Sequence, residues 1–235
     1  MNNADLIVAT LKAAGITRGF GIPSGNVLPL MEAMRQGGVE FVLTAHEGSA
    51  GFAADVMGRM TGAPGLAIAT LGPGATNLAT GVGCAFLDRS PLIAITCNLN
   101  RDQLGRRIQM WIDHHALFKP ITKATLRLEA GVIGETLTYA VALALTEPRG
   151  PVHLDLPEDV ALSAATEKVP AAAKVAPLAA APDEAIARAR ELIGAAKRPI
   201  AVIGSSAMRL GDPSLLRRVI ERHNLPFATT TMAKG

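Results

Sequence analysis

Short apolar runs alternate with segments of helical periodicity along most of the chain. In the opening segment Leu6, Ile7 and Leu11 are spaced as on one face of a helix, and Gly15 ends that segment. The helices predicted in this way cover about 4–14, 27–34, 47–60, the stretch after Gly74, and 131–145. The strands predicted between them cover 19–22, 39–43, 66–70, 92–96 and 152–156. This alternation is typical of an α/β fold, a doubly wound parallel sheet with helices on both faces, so functional loops are expected at the carboxyl ends of the strands.

A second α/β pattern begins near the end of the chain. It predicts helices at 183–195 and 213–223 and strands at 200–203 and 227–230, which are too few strands for a stable sheet. The Ala- and Pro-rich stretch before it has no periodic apolar face, which is typical of a linker. The predicted organisation is a first domain at 1–162, a linker at 163–182, and the truncated start of a second, Rossmann-like domain at 183–235. We therefore expect a fragment, or one piece of a larger assembly.

Composition narrows the class of protein. Aromatic residues make up only 3% of a chain that is 49% hydrophobic, so the core must be filled by Ala, Val, Ile and Leu, as where helices pack closely on strands. A net charge of +3, without basic residues clustered around aromatics, argues against nucleic-acid binding. No run predicts a membrane span or a secretion signal, so we expect a cytoplasmic protein without a membrane partner. Cys84 and Cys97 lack CxxC spacing and are expected to be buried free thiols.

Four stretches, taken together and in this order, carry a family resemblance. They are GFGIPSGN at 19–26, TAHEGSAGFAADVMGRMTG at 44–62, ATLGPGATNLATGV at 69–82 and DRSPLIAIT at 88–96. This set resembles the pyrimidine-binding domain of thiamine-diphosphate-dependent enzymes of the acetolactate synthase large-subunit type. The later stretch AAKRPIAVIGSSAM resembles the opening of that family's central domain. The resemblance implies that the diphosphate-binding domain lies outside this sequence.

The resemblance makes Glu47 the residue that activates the cofactor. By its position in the motif, its carboxyl group is implied to hydrogen-bond to N1′ of the aminopyrimidine and to favour the imino tautomer that takes the proton from C2 of the thiazolium. Its neighbours Gly48, Ala50, Gly51 and Phe52 are small or apolar, so we expect a poorly solvated carboxyl that can hold a proton. The alternative is a first-turn glutamate that only complements the helix dipole.

Two loops are implied to contact the cofactor. The loop after the first strand, which faces the thiazolium and the substrate in the family, comprises Ile22, Pro23, Ser24 and Gly25. The residues of the GPGATN segment that border the aminopyrimidine are Gly72, Pro73, Gly74 and Asn77. The alternatives are a tight turn without a ligand for the first loop, and a turn followed by a helix cap for the second. No metal ligand is assigned to this chain, because the family holds the diphosphate elsewhere through a divalent metal.

Three further residues are weaker catalytic candidates. Gln109 matches a glutamine that lies near the active site in acetolactate synthases. His114 and His115 resemble a histidine pair that assists proton transfers in pyruvate decarboxylase-like members. The alternative for the two histidines is a pair on the surface or at the start of a helix.

The implied reaction is decarboxylation of a 2-oxo acid such as pyruvate, followed by transfer of the resulting enamine to a second carbonyl. The implied cofactors are thiamine diphosphate and Mg²⁺, and FAD is a further possible cofactor. A homodimer or homotetramer is implied, because such sites form between subunits, and the isolated fragment is expected to be inactive. Two alternatives remain: a decarboxylase without carboligation, and a non-catalytic α/β binding module.

Overall fold

The computed structural model describes residues 1–108, 110–175 and 178–234. The chain forms two compact units, Met1–Pro177 and Leu178–Gly235. The strands of the first unit are β1 (Arg18–Gly21), β2 (Glu40–Leu43), β3 (Gly65–Ala69), β4 (Leu92–Asn98), β5 (Ala124–Arg127) and β6 (Pro151–Pro157). Its helices are α1 (Asn3–Ala13), α2 (Leu28–Gly37), α3 (Glu47–Thr61), α4 (Pro73–Leu87), α5 (His114–Phe118), α6 (Ile133–Leu145) and α7 (Glu158–Leu162). None of the helices in the described ranges is long and apolar enough to cross a bilayer.

The six strands form one parallel sheet in the order β2-β1-β3-β4-β6-β5. The chain runs from β1 to β2 on one side and returns to β3 on the other side, so the strand order reverses between β1 and β3. The predicted doubly wound parallel sheet is confirmed. In such sheets ligands bind in the crevice beyond the carboxyl ends of the two strands at this reversal.

The two faces of the sheet are packed differently. Leu66 and Ile68 of β3 belong to an aliphatic core with α1, α2 and α6. Ala67 and Ala69 point to the opposite face and pack with the small residues of α3 and α4. Alternation of neighbouring residues between faces is the period of a strand, and both faces are buried because helices cover each side. The alanine-rich face lets α3 and α4 lie close to the sheet.

Helices α3 and α4 touch backbone to backbone. A Cβ atom on Gly51 would lie 2.8 Å from the Cα of Gly81, and one on Gly81 would lie 2.5 Å from the Cα of Gly51. Close to the sheet, a Cβ on Gly65 would meet the carbonyl oxygen of Ala54 at 1.8 Å. Glycine is required at these contacts because no side chain fits between the two helices or between α3 and β3. The contact brings the first turns of the two helices side by side.

Part of the predicted linker packs on the first unit. Glu167 accepts hydrogen bonds from the backbone N–H groups of Ile133 and Gly134, at 2.8 and 2.9 Å, and so satisfies the amino terminus of α6. Ala164 forms an isolated antiparallel bridge with Asn2. The boundaries at 162 and 182 stay predictions.

The second unit contains α8 (Asp183–Ala195), β7 (Ala201–Ile203), α9 (Pro213–Arg222) and β8 (Phe227–Thr229). Its two strands are parallel, with a helix between them in sequence. This arrangement agrees with the predicted opening of a Rossmann-like domain.

Candidate functional site

Glu47 is the first residue of α3 and directly follows the loop after β2. His46 caps this helix, and its Nδ1 accepts a hydrogen bond of 3.0 Å from the backbone N–H of Gly48. The Glu47 side chain is buried, with an exposed fraction of 8% for the residue. The positive end of the helix dipole favours a carboxylate here, which offsets part of the cost of burial.

The first turn of α4 lies against the carboxyl group of Glu47. Asn77 Nδ2 donates a hydrogen bond of 3.0 Å to Glu47 Oε2. Gly74 faces the other oxygen, because a Cβ added there would lie 3.3 Å from Glu47 Oε1. One oxygen is therefore held by an amide, and the space next to the other is kept open by a glycine. This arrangement fits a ring nitrogen of an aminopyrimidine, which needs a carboxyl oxygen that is not already satisfied.

The turn before α4 requires glycine. Gly72 has φ 58° and ψ −113°, a combination that residues with a side chain avoid. A Cβ on Gly72 would also meet the carbonyl oxygen of Met110 at 2.2 Å. Pro73 then occupies the first helical position, where its fixed φ suits the helix. Pro73 is exposed and Gly74 is buried.

The other predicted loop follows β1. Ser24 precedes a 3-10 turn at Gly25–Val27, and Pro23 and Gly25 are exposed while Ile22 is half-buried. Asn26 holds this loop, since its Nδ2 donates to Glu158 Oε2 at 2.9 Å and to the carbonyl oxygen of Asn98 at 3.4 Å. This loop and the Gly72 turn follow β1 and β3, the two strands that flank the reversal of strand order.

His114 and His115 begin α5, as the helix-start alternative predicted. The surface alternative is wrong for His114, which is only 2% exposed. His114 Nε2 accepts a hydrogen bond of 3.4 Å from the backbone N–H of Gly72, so the first histidine is tied to the turn before α4. Gln109, the third weak candidate, lies outside the described residues.

The two histidines belong to a buried polar cluster that the sequence did not reveal. The cluster joins them to side chains from β4, β5 and β6: Thr96, Asn98, Thr125, Arg127, His153 and Asp155. Burial alone would raise the pKa of Asp155, but hydrogen bonds from His114, His115 and Asn98 outweigh burial and hold that pKa well below its usual range. The one feature of the sequence that could have indicated this cluster is the presence of polar residues in strands that are otherwise apolar on both faces.

A separate acidic group lies further along α3 and α4. Asp55, Cys84 and Asp88 have the spacing of a metal site, and they form the one such group among the residues that the structure describes. Burial raises the pKa of Asp55 and also raises that of the Cys84 thiol. The Cys84 thiol donates to Asp88 Oδ2 at 3.7 Å, and Arg59 Nη2 lies 3.1 Å from Asp55 Oδ2. A protonated thiol and a neighbouring guanidinium do not suit a cation, and Mg²⁺ in addition prefers oxygen ligands.

Comparison with known proteins identifies a family for the first half of the chain. The family described as "Thiamine pyrophosphate enzyme, N-terminal TPP binding domain" matches residues 1–118. These residues contain Glu47, both predicted loops and the two histidines of α5. The matched region therefore includes every candidate residue of the site.

Relatives match over the whole chain. A probable acetolactate synthase large subunit of Methanocaldococcus jannaschii is 37% identical over 242 residues, which cover 100% of this chain and 41% of that protein. The acetolactate synthase of Bacillus subtilis is 34% identical, with coverage of 99% and 41%. The large subunit of acetolactate synthase isozyme 1 of Escherichia coli is 35% identical, with coverage of 99% and 42%. The chain thus spans about two-fifths of the length of these curated relatives. Since the family domain covers half of its residues, the chain belongs to the thiamine pyrophosphate enzymes.

Proposed function

We propose that the protein containing this chain decarboxylates a 2-oxo acid such as pyruvate and transfers the remaining fragment to an acceptor carbonyl, as an acetolactate synthase does. The observation that carries the proposal is the buried carboxyl of Glu47, with Asn77 on one oxygen and Gly74 beside the other. The similarity to acetolactate synthases over the whole chain supports this reaction over simple decarboxylation.

The proposed role of Glu47 is to hold a proton at N1′ of the aminopyrimidine. When bound, thiamine diphosphate supplies a carbanion at C2 of its thiazolium ring, which adds to 2-oxo acids. Asn77 orients the carboxyl so that its second oxygen faces the crevice, and the absence of a side chain at Gly74 lets a flat ring approach. Ile22, Pro23, Ser24 and Gly25 form the proposed opposite wall, next to the thiazolium and the substrate.

The rest of the proposal concerns partners and location. The Mg²⁺ ligands and the diphosphate site are proposed to lie in the part of the protein that this chain does not include. Cys84 and Cys97 are free thiols, which suits a reducing compartment such as the cytoplasm.

A second subunit is proposed to complete the site in a homodimer or homotetramer. On α3, the helix that begins with Glu47, the side chains of Phe52, Val56 and Met60 follow one another at intervals of four residues. These residues are 44%, 48% and 78% exposed and form an apolar stripe. A stripe of this kind favours coverage by another protein surface.

Replacement of Glu47 by Gln in the complete protein tests the function. Glu47→Gln keeps the size of the side chain and an oxygen that can accept from Asn77, so the fold should persist. We expect carbon dioxide release from pyruvate to fall at least about a hundredfold, because a proton-transfer role contributes on this order. The measurement is the initial rate of carbon dioxide release at saturating thiamine diphosphate and Mg²⁺.

Glu135→Gln is the matched control. Glu135 is also a first-turn helix glutamate, it is exposed, and it has no proposed catalytic role. A non-catalytic binding module, or a glutamate that only complements a helix dipole, predicts equal behaviour of the two variants. Retention of most activity in Glu47→Gln would remove Glu47 from the proposed role.

A further inference from the structure

His153 is a fully buried histidine of β6 that the proposed reaction does not use. Its ring stacks on Phe118, with ring centroids 4.3 Å apart. Its Nε2 lies 2.8 Å from Thr96 Oγ1 and its Nδ1 lies 2.6 Å from Thr125 Oγ1. Both ring nitrogens are therefore hydrogen-bonded to hydroxyl groups from the neighbouring strands, the buried Thr96 of β4 and the half-buried Thr125 of β5.

The same two hydroxyl groups reach the histidines of α5. Thr96 Oγ1 lies 2.9 Å from His114 Nδ1, and Thr125 Oγ1 lies 3.0 Å from His115 Nδ1. The five side chains form one continuous series in the order His114, Thr96, His153, Thr125, His115. We call this series the histidine–threonine chain.

The two ends of the histidine–threonine chain fix the direction of its hydrogen bonds. At one end the backbone N–H of Gly72 can only donate, so His114 Nε2 accepts and the proton of this ring is on Nδ1. At the other end the carboxylate of Asp155 can only accept, and His115 Nε2 faces Asp155 Oδ2 at 3.6 Å. The proton of His115 is therefore best placed on Nε2, where it points towards the negative charge.

One assignment satisfies the ring nitrogens and hydroxyl groups of the series. His114 Nδ1 also lies 3.3 Å from Asp155 Oδ1, an acceptor, and 3.3 Å from Asn98 Nδ2, which donates to the same Asp155 oxygen. His114 Nδ1–H donates to Thr96, whose hydroxyl donates to His153 Nε2. His153 Nδ1–H then donates to Thr125, whose hydroxyl donates to His115 Nδ1. Each hydroxyl donates once and accepts once, and each ring carries one proton. A second proton on His114 would place two donors face to face at the Gly72 N–H, and one on His153 or His115 would leave a threonine hydroxyl with no acceptor in the series for its own proton.

We propose that the histidine–threonine chain is a positioning device that holds the Gly72 turn, and through it Gly74 and Asn77, against the carboxyl of Glu47. The turn is held at the Gly72 N–H by His114, and α4 begins at the next residue. His153, Thr96 and Thr125 are positioning residues in this role, since none of them reaches Glu47. The effect on catalysis rests on the proposed function, while the tautomers are a property of the fold itself.

Electrostatics around His153 agree with a neutral ring. Burial lowers the pKa of His153 to about 3; Asp155 opposes that effect, and His114 and His115 add to it. Arg127 completes the charged surroundings, because its Nε donates to Asp155 Oδ2 at 3.1 Å and helps to keep that carboxylate ionised. The positive charge of Arg127 thus lies at the exposed end of the cluster, next to Asp155.

Nitrogen-15 chemical shifts of the imidazole rings test the assignment in the 235-residue chain at neutral pH. We expect the Nδ1–H tautomer for His114 and His153 and the Nε2–H tautomer for His115. A charged His153, or the Nε2–H tautomer at His153, would overturn the proposal. This result does not depend on whether the protein is an acetolactate synthase.

Thr96→Val tests the positioning role in the complete protein. Valine keeps the branched shape of threonine in the buried strand and removes only the hydroxyl between His114 and His153. We expect the Gly72 amide to exchange with solvent faster and the KM for thiamine diphosphate to rise, each about tenfold, because a buried hydrogen-bonding group loses its partner. Thr96→Ser, which restores the hydroxyl, should recover most of both values.

Thr10→Val is the matched control. Thr10 is also buried, and its hydroxyl donates only to the backbone of its own helix, at 2.8 Å to Leu6 O. If Thr96→Val and Thr10→Val have the same effect on Gly72 exchange and on the KM for thiamine diphosphate, the positioning role is wrong, even where Glu47→Gln has abolished activity.

If Glu47→Gln stays active while Gly72 exchange and the tautomers are as expected, the proposed function fails and the structural part of the inference stands. If Thr96→Val does not fold, the tautomers of the unmodified chain decide.

Discussion

The amide of Asn77 is the side chain that orients the carboxyl of Glu47. Its Nδ2 donates to Glu47 Oε2 at 3.0 Å, from a position one turn into α4. Replacing Asn77 by Asp exchanges this donor for a second carboxylate at the same place. Two carboxylates this close disfavour each other's ionised form. We therefore expect the limb of the pH–activity profile that reports this pair of carboxyl groups to move to higher pH in Asn77→Asp of the complete protein.

Asn77→Ala separates the lost hydrogen bond from the added charge. Alanine also removes the donor but brings no charge, so we expect a loss of activity of about tenfold with the limb of the profile unmoved. The measurement is kcat against pH for the two variants and the unmodified protein. Identical profiles for Asn77→Asp and Asn77→Ala would mean that Asn77 and Glu47 do not act on each other during the reaction.

At the scale of elements, the contact between α3 and α4 decides where Glu47 and Asn77 meet. Gly51→Ala would place a Cβ 2.8 Å from the Cα of Gly81, so one helix must shift. We expect a lower free energy of unfolding, by about 1–3 kcal/mol, as for other overpacked cores. The free energy of unfolding is measured by urea unfolding of the chain, monitored by circular dichroism.

Gly83→Ala, on the partner helix α4, is the control. A Cβ there meets its nearest atom, Ile121 Cγ2, at 3.8 Å, which is an ordinary contact. Alanine in a helix is favoured over glycine by about 0.5–1 kcal/mol, so this variant should be more stable than the unmodified chain. The same substitution should therefore act with opposite signs at positions 51 and 83, and equal signs would contradict close packing at Gly51.

The long elements of the fold were predictable, and three short ones were not. The helices and strands with clear periodicity and glycine at their ends were predicted to within a few residues, for example α3 and β4. The strand β5 and the helix α7 were missed, and α5 was predicted only as an alternative for His114 and His115, because each of these elements has only four or five residues and carries no period of its own. Their conformations come from pairing with β6 and from packing on other elements.

Prediction of the site was likewise limited to residues that lie close together in the sequence. Glu47 and the residues from Gly72 to Asn77 lie within two motifs, so the sequence alone was enough to propose them as site residues. The histidine–threonine chain is assembled from β4, β5, β6 and α5, and its members become neighbours only through the order of strands in the sheet. Thr125 lies on β5, the missed strand, and His153 looked like an ordinary residue of an apolar strand.

At the scale of the whole molecule, the buried histidine couples the stability of the first unit to pH. Burial lowers the pKa of His153 to about 3, compared with about 6.5 in an unfolded chain. Below pH 6.5 the unfolded chain therefore takes up a proton that the folded chain does not. The free energy of unfolding should fall as pH falls from about 6.5 towards 3, by up to about 1.4 kcal/mol per pH unit from this group.

Comparison of variants between pH 7 and pH 4.5 isolates this contribution. Asp155 does not interfere over this range. Its pKa is held low in the folded chain, so it is ionised in the folded state, and it is largely ionised in the unfolded state as well. The stabilisation that Asp155 provides is therefore lost only at lower pH. We expect His153→Gln to be less stable than the unmodified chain at pH 7, and its stability to fall less steeply with acid. His223→Gln, at an exposed position of the second unit, should keep the steep dependence. The measurement is urea unfolding of each chain at several pH values. If His153→Gln has the same slope as the unmodified chain, then His153 takes up its proton in the folded state, and the neutral ring on which the histidine–threonine chain depends does not exist.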